Sequence, residues 1–153
     1  WDGRTVIVAG NSQGGAQAIA VAGLDPRVTF LVAGVPAMCD HTGMVAGRVA
    51  GWPKLVPVDR NGHLNQQVLE TARYFDMMNF ASRVKAPAFF TVGFIDRVCP
   101  PTTVYAAYNA LPTEKKIYYD IQAGHTNTPA AVGLMQEAIN AHAASRKLSP
   151  ATK

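Results

Sequence analysis

The chain has 153 residues, 48% of them hydrophobic and 16% charged, with a formal net charge of +4. That is the size and composition of one globular domain with a sizeable core. The basic residues are spread along the chain, with Arg146-Lys147 as a dense group near the C-terminus, so the basic stripe with interleaved aromatics expected of a nucleic-acid surface is missing. No apolar run reaches the roughly 20 residues of a transmembrane helix, and no segment reads as a signal peptide.

In chain order, the apolar run at residues 5–9 predicts a buried strand and residues 13–23 predict a helix, which Leu24-Asp25-Pro26-Arg27 ends. A second strand is expected at 28–33. Residues 36–80 are too long for a connecting loop and are rich in Gly, Pro, His and Asn. They are expected to form a lid-like insertion with a helix near 64–73. A third strand follows at 88–92, a helix at 102–111, a fourth strand at 116–121 and a last helix at 129–144. The apolar runs lack alternation, as parallel strands covered on both faces do. The fold class is therefore α/β: a mostly parallel sheet flanked by helices. Cys39 and Cys99 read as buried free thiols rather than a disulfide framework. The sequence opens Trp1-Asp2-Gly3 without methionine, so any targeting segment is expected upstream and the compartment stays open.

Gly10-Asn11-Ser12-Gln13-Gly14 joins the first strand to the first helix. This Gly-x-Ser-x-Gly in a strand-turn-helix setting resembles the nucleophile elbow of α/β-hydrolases. The expectation is a strained turn that lifts the Ser12 hydroxyl clear of the sheet. Small residues two before and two after it would let strand and helix approach without a Cβ clash. The backbone N–H of Gln13 would then face an incoming oxyanion. The competing reading makes Ser12 an ordinary helix N-cap.

A serine nucleophile needs a base, and the base needs an orienting carboxylate. The third strand runs out through Gly93-Phe94-Ile95-Asp96, and the fourth through Ile121-Gln122-Ala123-Gly124-His125. Ser12, Asp96 and His125 would thus occupy three loops at one carboxyl edge, where open α/β sheets gather their catalytic groups. Taken singly, Asp96 could be a surface ion pair with Arg97 or a turn former, and His125 a plain loop residue. Cys39-Asp40-His41 has metal-ligating residue types but no second set at metal-site spacing, so no metal and no cofactor is expected. His63 falls in a polar loop, His142 in the last helix, and Arg146-Lys147 reads as a solvated helix end.

Beyond single motifs, Gly-Asn-Ser-Gln-Gly-Gly at 10–15 resembles the elbow of the acetyl xylan esterases and cephalosporin-C deacetylases, carbohydrate esterase family seven. Leu24-Asp25-Pro26-Arg27-Val28, the stretch from Val35 to Asp40, Tyr74-Phe75-Asp76, Asn79-Phe80-Ala81 and Gly93-Phe94-Ile95-Asp96 continuing to Cys99-Pro100-Pro101 carry the same likeness. The resemblance implies deacetylation of small acetyl esters such as acetylated xylo-oligosaccharides, with Ser12 as nucleophile, Asp96 as acid and His125 as base. It matches the C-terminal half of an α/β-hydrolase. The upstream half of the same protein, or a second copy, would then cover the first strand and supply a second oxyanion donor. No membrane or nucleic-acid partner is implied. A serine peptidase or general esterase of the same fold, or a non-catalytic truncated domain, are the alternatives.

Overall fold

The computed structural model describes residues 3–148; the opening Trp1-Asp2 lies outside them. Four strands, β1 (Ile7–Asn11), β2 (Phe30–Gly34), β3 (Ala88–Gly93) and β4 (Lys115–Asp120), form one parallel sheet in the order β1-β2-β3-β4. Five helices accompany them: α1 (Gln13–Leu24), α2 (Gln66–Ala72), α3 (Met77–Ala81), α4 (Pro101–Ala110) and α5 (Pro129–Leu148). The expected α/β class is the observed one.

Side chains alternate between the two faces of each strand, so the sheet carries two cores. Val8, Leu31, Ala33, Phe90 and Val92 face α1, α3 and α4 and pack with Ile19, Val104 and Ala107, forming the larger core. Ile7, Phe30, Val32, Phe89 and Tyr118 face α5 and meet its Met135, Ala138 and Ile139. Every residue of β2 and β3 is buried, whereas Ala9 and Asn11 of β1 are exposed. Within this sheet β1 is therefore an open edge.

β1, β2 and β3 run further towards the carboxyl edge than the apolar runs suggest, whereas β4 begins and ends one residue earlier than expected. β1 starts two residues later than expected and continues through Gly10 and Asn11, because its ladder with β2 begins at Ile7↔Phe30 and ends at Asn11↔Gly34. The expected Thr5-Val6 start lies outside the ladder. There the Thr29 hydroxyl donates to the Val6 carbonyl at 2.9 Å and accepts from the Val6 N–H at 3.2 Å. β2 and β3 likewise end in Gly34 and Gly93. Glycine disfavours a strand interior, but here neighbouring groups come too close for any side chain. A Cβ at Gly93 would fall 2.3 Å from the Gly124 carbonyl oxygen.

Residues 36–80 hold two 3-10 turns (Gly43–Ala46 and Arg73–Phe75) besides α2 and α3. α2 is shorter than expected and starts at an Asn65 cap, whose side chain accepts from the Val68 N–H at 3.0 Å. α3 was not expected: five residues are too few to show a helical period, and its stability comes from the Asp76 cap and the core contacts of Met77 and Ala81. Asp76 does more than cap. Its buried carboxylate accepts from the N–H of Asp40 at 2.8 Å and of His41 at 2.7 Å, pinning the segment after β2 to α3. Asp40 is itself buried and paired with Arg48 at 2.7 Å. The Trp52 N–H donates to the Val98 carbonyl at 2.8 Å, tying the same segment to the loop after β3.

Candidate active site

The elbow forms between β1 and α1. Ser12 adopts φ 53° and ψ −117°, a region that costs a non-glycine residue about 1–3 kcal/mol. Three backbone bonds hold it there. Its N–H donates to the Gly34 carbonyl at 2.8 Å, and its own carbonyl accepts from Ala37 at 3.0 Å and Ala16 at 3.1 Å. The side chain makes no capping bond to the helix, which removes the N-cap reading.

The hydroxyl turns instead to His125, whose Nε2 lies 2.8 Å from Ser12 Oγ. His125 Nδ1 lies 2.7 Å from Asp96 Oδ2, and the other Asp96 oxygen accepts from the N–H of Val98 at 2.8 Å and of Cys99 at 2.9 Å. The Asp96 side chain is fully buried, so those three donors compensate its lost hydration; His125 stays partly open to solvent. Asp96 is thus not the surface ion pair considered from sequence. Residues from the loops after β1, β3 and β4 meet at one edge of the sheet, 113 residues apart along the chain between Ser12 and His125. The N–H of Gln13 opens α1, where helix geometry leaves the first amides without intrahelical acceptors.

One expectation about the elbow needs correcting. The glycine two before Ser12 is required, since a Cβ at Gly10 would lie 2.2 Å from the Gly14 carbonyl oxygen. Gly14, two after, has nothing within 4 Å of its Cβ position. The second crowded glycine is Gly15, which faces the Gly10 and Gly34 carbonyl oxygens and the Pro36 Cα, each at 3.2 Å. Helix α1 approaches the sheet through Gly15, one residue beyond the motif.

Cys99 also adjoins the site. Asp96, Cys99 and His125 each put one potential metal-ligand atom within 4.8 Å of the others. Burial, reinforced by the Asp96 charge, pushes the Cys99 thiol up to about 12, and burial with Asp76, Cys99 and Asp40 nearby pushes Cys39 well up too. A thiolate ligand or nucleophile is disfavoured at both positions, and the Asp96 and His125 atoms are committed to hydrogen bonds. Both cysteines are free and buried. His41 is buried with neither ring nitrogen bonded, and burial lowers its pKa. His63 is exposed and pairs with Asp59 at 3.2 Å, while His142 stacks on Phe30 from α5. The sequence offered no signal for Asn127, two residues after His125, whose amide reaches Asn11 beside the serine.

The sequence profile of the acetyl xylan esterase family (AXE1) matches residues 1–139. An acetyl esterase of Xylanibacter ruminicola is 41% identical over 116 residues, covering 76% of this chain and 26% of that protein. The acetyl xylan esterase from Paenibacillus sp. R4 superposes with a TM-score of 0.74 at 34% identity, over 88% of this chain and 44% of that one. Acetyl xylan esterase 1 from Thermoanaerobacterium sp. JW/SL YS485 gives 0.72 at 30% identity, over 89% and 45%. A Pyrococcus horikoshii acylaminoacyl peptidase, at 15% identity and a TM-score of 0.65, shares the fold alone. The chain spans about a quarter of the first relative and under half of the two esterase structures. Its fold is that of the α/β-hydrolases, and by its sequence it belongs to the acetyl xylan esterase family.

Proposed function

We propose that the protein is a serine esterase removing acetyl groups from small esters, such as acetylated xylo-oligosaccharides, through an acyl-enzyme. The observation that carries this reading is the continuous relay from Ser12 Oγ to His125 Nε2 at 2.8 Å and from His125 Nδ1 to Asp96 at 2.7 Å. Ionised Asp96 can only accept, so Nδ1 carries the proton and Nε2 presents its lone pair to the serine. In the acylation step Ser12 Oγ attacks the ester carbonyl while its proton passes to His125 Nε2. The Gln13 N–H receives the developing oxyanion. Collapse returns the proton from His125 to the leaving alcohol and leaves acetyl-Ser12. A water then attacks the acetyl carbon as it gives a proton to His125, and His125 passes that proton to Ser12 Oγ as the Oγ–acyl bond breaks, releasing acetate and restoring the free serine.

The acetyl preference and carbohydrate substrate are proposed from the family. The open edge at β1 supports a further element of the reading: another polypeptide, the upstream half of the same protein or a second copy, pairs with β1 and brings the second oxyanion donor. The test uses p-nitrophenyl acetate and the intact polypeptide that contains this chain. Ser12→Ala is expected to remove nearly all turnover with the fold unchanged by circular dichroism. Undiminished acetate release by Ser12→Ala would assign the nucleophile elsewhere. Faster turnover of octanoyl than acetyl ester would remove the deacetylase assignment.

A further inference from the structure

We propose that Asn127 is a positioning residue that clamps the His125 loop to the elbow, so that a bridge from Asn11 through Asn127 to Thr91 sets the Ser12–His125 distance. The proposal rests on the assignment of Ser12, His125 and Asp96 made above.

Asn11, Gly34 and Thr91 are register partners on β1, β2 and β3, and so form one row on the α5 face of the sheet. Asn127 spans that row. The Thr91 hydroxyl donates to Asn127 Oδ1, and Asn127 Nδ2 donates to Asn11 Oδ1 at 2.8 Å. In this arrangement Thr91 Oγ1 also accepts from the Val35 N–H at 3.1 Å, an N–H shared with the Thr91 carbonyl, and spends its own proton on Asn127 Oδ1, which leaves Nδ2 for Asn11. Gly34 makes the room: a Cβ there would lie 2.2 Å from Asn11 Oδ1 and 2.6 Å from Asn127 Nδ2. The bridge therefore occupies the space of a missing side chain, directly beneath the carbonyl that holds the Ser12 N–H.

This gives the loop from β4 to α5 two separate anchors, with His125 between them. On the Asp96 side, the Ile95 N–H donates to the Ala123 carbonyl at 3.1 Å and the Phe94 N–H to that of Asp120 at 2.9 Å. On the serine side, Asn127 reaches Asn11, the residue preceding Ser12. The first anchor keeps Asp96 and His125 in register. The second keeps Nε2 against the hydroxyl. Losing only the second would lengthen the proton transfer without disturbing the imidazole–carboxylate pair. Misplacement of reacting groups by about 1 Å can cost as much as 10²-fold in rate.

The experiment measures p-nitrophenyl acetate turnover by the intact polypeptide across pH. Asn127→Ala is expected to lower kcat about 10- to 100-fold with KM and the midpoint of the pH–rate profile unchanged. Thr91→Val, nearly isosteric but without the hydroxyl, is expected to lose a similar factor, and the double variant no more than Asn127→Ala alone. Thr91→Ser, which restores the hydroxyl, is expected to recover most of the rate. An undiminished kcat in Asn127→Ala, a raised KM in place of a lowered kcat, or equal losses in Thr91→Ser and Thr91→Val would overturn the clamp. So would failure of both Asn127→Ala and Thr91→Val to fold, since the bridge would then be structural only. If the wild-type protein itself lacks Ser12-dependent turnover, the site assignment fails and the clamp with it. Ser12-dependent wild-type turnover with an unaffected Asn127→Ala removes the clamp alone.

Discussion

Gly10 and Gly14 are in contact through the hydrogen of one and the carbonyl of the other: a Cβ at Gly10 would lie 2.2 Å from Gly14 O and 2.9 Å from Gly15 N. The two glycines flanking the serine are therefore unequal. Gly10→Ala drives a methyl group into backbone that cannot retreat, and is expected to destabilise the fold by about 3 kcal/mol or more. Gly14→Ala meets open space in the first turn of a helix and is expected to change stability by about 1 kcal/mol or less. Urea denaturation of both variants checks the contrast. Equal midpoints would mean the elbow is looser than its geometry.

The relay predicts a separation of roles at Asp96. Asp96→Asn keeps the shape but offers an amide donor to His125 Nδ1, favouring the wrong tautomer. Turnover is expected to fall by up to about 10⁴. Stopped-flow acylation with p-nitrophenyl acetate is the measurement, and retention of more than a tenth of wild-type kcat would argue against Asp96 as the orienting group.

Asp76 gives a stability prediction away from the site. Its carboxylate takes the N–H groups of Asp40, His41 and Met78, at 2.8, 2.7 and 3.0 Å. Asp76→Ala would leave buried donors without an acceptor, at a cost of about 3–5 kcal/mol. Thermal unfolding is expected to move down sharply. Little change would show that water takes over the three amides.

Two imidazoles, buried His41 and half-buried His142, are expected to contribute to the acid limb of stability. Burial lowers the pKa of His142, with Arg146 adding to the effect, and burial lowers that of His41 against the opposing pull of Asp76 and Asp40. Each side chain binds its proton more readily in the unfolded chain. The stability it contributes is therefore present above the ordinary histidine value of 6.5 and is lost as pH falls below it towards the lower folded value. His142→Phe keeps the stack on Phe30 but cannot titrate. Urea midpoints between about pH 7 and 5 should fall less steeply for this variant than for wild type. An unchanged slope would assign the acid sensitivity to other groups.

Much of this architecture was legible because parallel strands advertise themselves as unbroken apolar runs, and the elbow places its glycines at fixed offsets from Ser12. The strand-loop positions of Asp96 and His125 carried the rest of the relay. The strand ends were not legible, because Gly34 and Gly93 argue against strand by propensity and are explained only by what crowds them. Gly15 was passed over in favour of Gly14 since the motif names the latter, whereas the close approach is made by the former. α3 depends on a cap and tertiary packing rather than on period. Asn127 carries no local signal at all. Its partners Asn11 and Thr91 lie 116 and 36 residues away, and only strand register brings them within reach.

His125 stands on the loop that follows the last strand, and its partner serine on the loop that follows the first of these strands. No partial assembly of the sheet can bring them together, because β2 and β3 must be seated between them before β4 delivers the imidazole. Contacts of such sequence separation form late, after the entropy of closing long loops has been overcome. On the proposed reading, Ser12 therefore stays unreactive until the sheet is assembled. In refolding from urea, labelling of Ser12 by a fluorophosphonate should trail the return of helical circular dichroism, making that labelling a clock for the final stage of assembly.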